Sequence, residues 1–128
     1  MMIESNAGEH RNAVYSAICA GWASDDAKAF SAAAAARKLS IQRILEMNAA
    51  NEQYAQQKGG DELLIADMYR RNGEFGQAEQ FIKKGLTLEL EDTIKTILDF
   101  QRKLVEKKDT AVYTVSDAVN DGSTKSPN

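Results

Sequence analysis

The chain has 128 residues, of which 43% are hydrophobic and 27% charged, and a formal net charge of −3. This length suits one domain with a modest core, and the absence of a basic surplus argues against a nucleic-acid partner. The longest mostly apolar run, residues 13–23, is too short to cross a bilayer, and a single cysteine excludes an internal disulfide. We therefore expect a cytoplasmic protein with no membrane partner.

The first predicted helix covers about residues 9–23, after a loose start over residues 1–8. Its apolar residues recur at spacings of three and four, which is typical of one buried helix face. The triplet Ser24-Asp25-Asp26 then offers side-chain oxygens and negative charge that suit the start of the next helix. The predicted face consists of Val14, Tyr15, Ile18, Cys19 and Trp22.

The second predicted helix runs from this triplet to about residue 57. If unbroken it would extend about 50 Å at 1.5 Å per residue, which is long for so small a domain. We therefore expect either a bend near residues 39–40 or an end that projects beyond the core. Its predicted face consists of Phe30, Ala34, Arg37, Ile41, Ile44, Leu45 and Asn48.

Three shorter helices are predicted after Gly59 and Gly60, which are expected to end the second helix, with Asp61 as the next cap. They cover about residues 62–72, 75–86 and 90–108. The last of them has an apolar stripe of Ile94, Ile97, Leu98, Gln101, Leu104 and Val105.

These elements predict an all-α antiparallel array of about five helices. A single domain is expected over residues 1–108. Residues 109–128 combine a short β-like stretch with a polar, glycine- and proline-containing end, so we expect a disordered or loosely docked tail.

Residues 63–86 carry a pattern of small and large side chains at helical spacing. The pattern consists of Ala66, Tyr69, Gly73, Phe75, Ala78, Ile82 and Gly85. Two antiparallel helices approach closely where side chains are small, and glycine ends a helix where a positive φ is needed. The stretch resembles one tetratricopeptide repeat, a helix–turn–helix unit of roughly 34 residues, with its best match over about 59–92. It departs from that family at Glu62, where a large apolar residue is usual, and at Leu90, where proline is common.

The same stretch, in the wording ADMYRRNGEFGQAEQF, is also similar to the helical C-terminal part of uncharacterised bacterial proteins that join a zinc ribbon to tetratricopeptide-like helices. This resemblance implies a bacterial source. The present chain has no cysteine-rich ribbon, so only the helical half of the resemblance applies.

The tetratricopeptide resemblance implies a module that binds an extended peptide or a protein on its concave side. Leu63, Asp67, Arg70 and Arg71 share spacings that place them there, and each arginine can hold a carboxylate in a fork geometry. The alternative is that Asp67 and Glu74 occupy both arginines in local helix pairs.

No catalytic or metal-binding pattern stands out. His10 and Cys19, the only residues of their types, cannot assemble a structural zinc set, and there is no glycine-rich phosphate loop. The run Gly59-Gly60-Asp61-Glu62-Leu63 resembles the signature of diguanylate cyclases, but its place between two helices favours a helix stop followed by a cap. We therefore predict a non-enzymatic protein with no cofactor.

Two alternatives remain open at this point. The long second helix and the fifth helix are a candidate homodimer interface, which would make assembly the function. The second alternative is an enzyme whose catalytic carboxylates are not identifiable from the sequence.

Overall fold

The computed structural model describes residues 2–26, 29–113 and 115–124. All regular structure in these ranges is helical, so the prediction of an all-α chain with packed neighbouring helices is confirmed for them, with six helices instead of about five. None of the helices in the described ranges has the length and apolar character needed to cross a membrane. The helices are α1 (Met2–Asp26), α2 (Phe30–Ala49), α3 (Gly60–Arg71), α4 (Phe75–Leu86), α5 (Asp92–Glu106) and α6 (Val115–Thr124).

Residue contacts divide the chain into two compact units, Met1–Gln56 and Gln57–Asn128. The N-terminal unit holds α1 and α2, and the C-terminal unit holds α3 to α6. The sequence predicts one domain over residues 1–108, whereas the contacts place α6 with α3, α4 and α5 in one unit. Within the predicted tail, residues 125–128 lie outside the described ranges.

In the N-terminal unit, small side chains of α1 pack against a mixture of small and large side chains of α2. Among the described side chains, the buried ones of α1 are Val14, Ala17 and Gly21, and those of α2 are Ala33, Ser40, Ile41, Ile44 and Met47. The buried Ser40 hydroxyl donates a hydrogen bond to the Ala36 carbonyl oxygen at 2.8 Å, so it needs no partner on α1. Beyond α2 the chain folds back, and Arg11 donates to the Gln53 carbonyl oxygen at 2.9 Å and lies over the Tyr54 ring.

The predicted apolar face of α1 is only partly buried: Ile18 and Cys19 are half-buried. Of the predicted residues, Val14 is buried, but Tyr15 and Trp22 are 58% and 55% exposed. The buried face is centred on small residues because a close helix pair leaves room for alanine and glycine and none for an indole ring. The buried face is therefore rotated from the predicted one, toward Ala17 and Gly21 and away from Tyr15 and Trp22.

The predicted boundaries of the first two helices also need correction. α1 begins at Met2 instead of about residue 9, and it continues through the predicted cap triplet to Asp26. Asp25 lies at the end of α1, where its carboxylate accepts hydrogen bonds from Arg37 of α2 at 3.0 and 3.2 Å. The acidic residue therefore pairs two helices across their interface instead of starting the second one.

α2 continues as α-helix through residues 39–40 and ends at Ala49, well before residue 57. Asn51 has a φ of 61°, and its N–H donates to the Asn48 carbonyl while the N–H of Glu52 donates to the Met47 carbonyl. This pair of bonds is a Schellman motif, and asparagine is one of the residues that tolerate its left-handed position. The motif at Asn51 therefore stops the helix after Ala49, and Gly59 serves instead as the N-cap of α3.

The α3–α4 hairpin agrees closely with the predicted pattern. Gly73 has a φ of 78° at the end of α3, and α4 covers the predicted residues 75–86. Asp61 lies within the first turn of α3 instead of at its cap. Buried Ala66, Ala78 and Ile82 join three residues of α5 in one core, with Tyr69 and Phe75 packed against it. The α5 residues in this core are Ile94, Leu98 and Val105.

Gly85 allows α4 and α5 to approach closely. A Cβ atom at this position would lie 2.9 Å from Leu98 Cδ1, which is closer than packed side chains allow, and 3.4 Å from Glu62 Cβ. The α5 stripe predicted from sequence is thus confirmed: five of its six residues are buried, and Ile97 is half-buried.

A cleft between α3 and α5 as the candidate functional site

A cleft of about 140 Å³ opens between α3 and α5 in the C-terminal unit. Its walls are mainly apolar, with one carboxylate and one amide. α3 contributes Leu63, Leu64 and Asp67, and α5 contributes Ile97, Phe100 and Gln101. Tyr113, which follows α5, and Ala118 of α6 complete the lining.

Helical periodicity explains why these side chains share one space. Leu63 and Asp67 are four residues apart on α3, and Ile97 and Gln101 are four residues apart on α5, so each pair lies on one helix face. The neighbouring stripe of α5, which includes Leu98, faces the hairpin core instead. The two helices therefore present their less apolar faces to the cleft.

Arg70 lies beneath the cleft and is completely buried. Four of its five N–H groups donate to the chain itself. Nε donates to Gln101 Oε1 at 2.7 Å, and Nη2 donates to Asp67 Oδ1 at 2.9 Å. Nη1 donates to the carbonyl oxygens of Asp109 and Ala111 at 2.7 and 2.9 Å. A buried guanidinium needs such partners, because an unpaired charge in a protein interior is strongly destabilising.

Gln101 closes a three-residue ring with Arg70 and Asp67. Its amide oxygen accepts from Arg70, and its Nε2 donates to Asp67 Oδ1 at 2.9 Å. Asp67 therefore accepts two hydrogen bonds on one oxygen, while its side chain remains 30% exposed at the edge of the cleft. The ring joins α3 to α5 and fixes the orientation of the carboxylate.

Tyr113 and Asp109 form a second small cluster at the cleft. The Tyr113 hydroxyl donates to Asp109 Oδ2 at 2.6 Å, and the Ala111 N–H donates to Asp109 Oδ1 at 2.8 Å. The Tyr113 ring meets Phe100 edge-on at 5.3 Å between centroids, and Arg70 Cζ lies 5.9 Å from its centre.

Both groups of this cluster titrate away from their ordinary values. The hydrogen bond from Tyr113, then that from the Ala111 N–H, lowers the pKa of the Asp109 carboxyl. The same Tyr113–Asp109 bond raises the pKa of the tyrosine hydroxyl, because ionisation would remove the donated proton. The cluster therefore favours a carboxylate beside a neutral phenol.

The structure brings three of the four predicted partner-binding residues together. Leu63 and Asp67 line the cleft, Arg70 lies buried below it, and half-buried Arg71 lies outside the lining. The local pair considered as an alternative does exist between Asp67 and Arg70. Arg70 is nevertheless also bound to distant parts of the chain, so its guanidinium is not an open surface group.

Sequence reasoning missed the contributions of α5, Tyr113 and Ala118 to this site. One signal was present: Gln101 is a polar residue within an otherwise apolar stripe, and a buried amide requires partners. Nothing in the local sequence identifies those partners, because they lie on α3.

Metal-binding residues do not cluster in the described part of the chain, where no group of three or more His, Cys, Asp or Glu side chains could hold an ion. The His10 side chain lies outside the described residues. Cys19 has a free thiol and is half-buried. No known protein family, curated protein or solved structure matches this chain.

Proposed function

We propose that this protein is a non-catalytic interaction module that binds a peptide or protein through the α3–α5 cleft of a tetratricopeptide-like helix array. The observation that carries the proposal is the cleft itself, in which apolar walls surround the partly exposed Asp67 carboxylate. The α3–α4 hairpin supports the tetratricopeptide comparison, because small residues of the pattern are buried at its helix contacts.

The size of the cleft favours one anchoring side chain over a whole small molecule. Its volume of about 140 Å³ is below the range of roughly 300–1,000 Å³ that small-molecule sites occupy. An apolar side chain of a partner fits against Leu64 and Ile97. A neighbouring N–H or cationic group of the partner can donate to Asp67, the one carboxylate in the lining.

The polar groups at the cleft are held in position by neighbouring residues. Asp67 and Gln101 are held by Arg70, and Tyr113 is held by Asp109. Because these bonds fix the donor and acceptor positions beforehand, they lower the cost of ordering these groups when a partner binds.

A matched pair of variants tests the proposal. Leu64→Asp places a charge in the cleft, while Leu88→Asp places the same charge at a half-buried leucine in the α4–α5 connection. Each tagged protein is incubated with lysate of the source organism, and retained proteins are quantified by mass spectrometry. A partner held by wild type and Leu88→Asp and lost by Leu64→Asp supports the cleft. Equal retention by all three proteins contradicts it, provided that circular dichroism shows each to be folded.

Homo-oligomeric assembly is a second candidate function. It would use a different surface from the one that the sequence predicts, which is formed by the second and fifth helices. The α5 stripe is occupied by the core of the C-terminal unit, and α2 is shorter than predicted. α1 instead exposes Tyr15 and Trp22 on one face, with half-buried Ile18 and Cys19 between them. Light scattering over a range of concentrations tests this reading, with Tyr15→Ser/Trp22→Ser as the comparison. A mass that stays monomeric at all concentrations contradicts it.

A further inference from the structure

The segment from Asp109 to Tyr113, here called the strap, crosses the edge of the cleft without regular secondary structure. Two of its contacts are main-chain contacts, because Arg70 binds the carbonyl oxygens of Asp109 and Ala111. The side chains of Thr110, Ala111 and Val112 are exposed. The strap is therefore held by its backbone and by Tyr113, with little burial of its other side chains.

The strap begins directly after the C-terminal cap of α5. α5 ends in a Schellman motif, in which the Lys108 N–H donates to the Val105 carbonyl and the Asp109 N–H donates to the Leu104 carbonyl. Lys108 occupies the left-handed position with a φ of 53°. A lysine there is conformationally less favourable than glycine, so the connection between α5 and the strap carries some backbone strain.

The residues that hold the strap in place either line the cleft or are bonded to residues that line it. Tyr113 is itself part of the lining, and its ring contacts Phe100, which is part of one wall. A ligand that reaches Phe100 fully must displace the tyrosine ring. Once the strap leaves, the two N–H groups of Arg70 that bind its carbonyls become available to another chain.

We propose that the strap is a displaceable cover of the cleft, and that the partner is an extended segment of similar chemistry. Such a segment offers main-chain carbonyl groups to Arg70 and an aromatic ring to Phe100. This inference rests on the proposed function, because it assumes that the cleft binds a partner. Binding then requires the strap to open, and any change that loosens the strap increases the apparent affinity.

The test uses the full chain and a fluorescent synthetic peptide of residues 107–120, which contains the strap. In Tyr113→Ala the chain's own strap loses its ring contact, while the peptide keeps it. We expect the peptide to bind Tyr113→Ala about ten-fold more tightly than wild type, because an intramolecular competitor has been weakened. Fluorescence anisotropy gives both dissociation constants. Val112→Ala, at an exposed neighbouring position, serves as the matched control and should behave as wild type.

Two further variants separate strap release from a change in folding. Tyr113→Phe keeps the ring and loses only the hydroxyl bond to Asp109, so it should fall between wild type and Tyr113→Ala. Leu64→Asp in the Tyr113→Ala background should abolish the gain, because the peptide then meets a charge in the cleft. Thermal melts establish that each variant is folded.

The possible results distinguish the inference from the proposed function. Equal affinity of the peptide for wild type and Tyr113→Ala, including no binding to either, overturns the strap inference. If a lysate partner still depends on Leu64 in that case, the cleft proposal survives alone. If Tyr113→Ala binds the peptide more tightly than wild type while no lysate protein depends on Leu64, the strap does open and the proposed partner function fails.

Discussion

A 2.7 Å hydrogen bond joins Arg70 Nε to Gln101 Oε1, although the two residues are 31 positions apart in the chain. Both side chains are buried, and together they connect the last turn of α3 to the second half of α5. A buried guanidinium group donates hydrogen bonds only near its own plane. This bond therefore also sets how the two helices align along the cleft.

Replacing Arg70 should therefore be costly. Arg70→Met leaves the carbonyls of Asp109 and Ala111 and the Gln101 oxygen without their donor, and we expect a loss of roughly 3 kcal/mol in the free energy of unfolding. Urea denaturation measures it. Arg102→Met is the control, because exposed Arg102 pairs with Asp99 at 3.6 Å, and such surface pairs contribute about 0–1 kcal/mol. Similar losses in both variants would show that the Arg70 network does not stabilise the fold.

The left-handed residue at the end of α5 offers a stabilising change. Lys108→Gly should raise the free energy of unfolding by about 0.5 kcal/mol, since relief of the unfavourable φ outweighs the greater freedom of glycine in the unfolded chain. Gly73→Ala, at the equivalent position after α3, should have the opposite sign and cost about 1 kcal/mol. Thermal and urea unfolding of both variants check the signs. A destabilised Lys108→Gly protein would contradict the assignment of strain to this residue.

Contact between α4 and α5 depends on the absence of a side chain at Gly85. Gly85→Ala puts a methyl group 2.9 Å from Leu98 Cδ1, so we expect a loss of about 1–3 kcal/mol in stability. Gly76→Ala is a control on the same helix, because nothing lies within 4 Å of the added methyl group. That change should stabilise the protein by up to about 1 kcal/mol, since alanine favours helix. Equal effects of the two substitutions in urea unfolding would be inconsistent with this packing.

The Tyr113–Asp109 bond should make strap docking depend on pH at both ends of the scale. The folded pKa of Tyr113 is raised above 10.0, so its contribution is complete below that value and is lost as the pH rises through the folded pKa. The folded pKa of Asp109 is lowered below 3.8, so its contribution is complete above that value and is lost as the pH falls through the folded pKa. The positive charges of Arg70 and Lys107 also lower the pKa of the Asp109 carboxyl. On the Tyr113 hydroxyl, Arg70 lowers the pKa and the negative charge of Asp117 raises it.

Ultraviolet titration of wild type against Tyr113→Phe isolates the Tyr113 phenol. Asp109→Asn should return its pKa toward the ordinary value, because the accepting carboxylate is gone. A Tyr113 pKa that is unchanged by Asp109→Asn would mean that this hydrogen bond is not formed in solution.

Trp22 reports directly on the exposed face of α1. It is the only tryptophan in the chain and is 55% exposed, so its fluorescence should be that of an indole in contact with water and accessible to iodide quenching. If α1 mediates self-association, the emission should shift to shorter wavelength as protein concentration rises. Emission that is already blue-shifted and protected in dilute protein would contradict the exposed placement.

The sequence predicts the C-terminal helices well because their signals are local. Gly73 marks the turn after α3, and the α5 stripe repeats at helical spacing, so both element type and buried face follow from neighbouring residues. The α1–α2 pair is harder to predict, because packing there selects alanine and glycine over larger apolar residues such as Trp22. A pattern search weighted by hydrophobicity has the opposite preference.

The candidate site is predictable only in part for a related reason. The spacing of Leu63, Asp67 and Arg70 places them on one side of α3, and the structure brings them together. The deciding partners of Arg70 are two main-chain carbonyls some forty positions later, and these have no sequence signature. Such long-range contacts decide whether an arginine is exposed and able to bind a partner or buried and bonded within the chain.

Recognition of the strap through its carbonyl groups has a consequence for how this segment tolerates mutation. Every residue type carries a carbonyl, so exchanges at Thr110 or Val112 leave the bonds to Arg70 available. Tyr113 alone among the strap residues contributes a ring to the cleft. The segment can therefore accumulate substitutions at its outward-facing positions, and acquire new surface properties there, while its hydrogen bonds to Arg70 are kept.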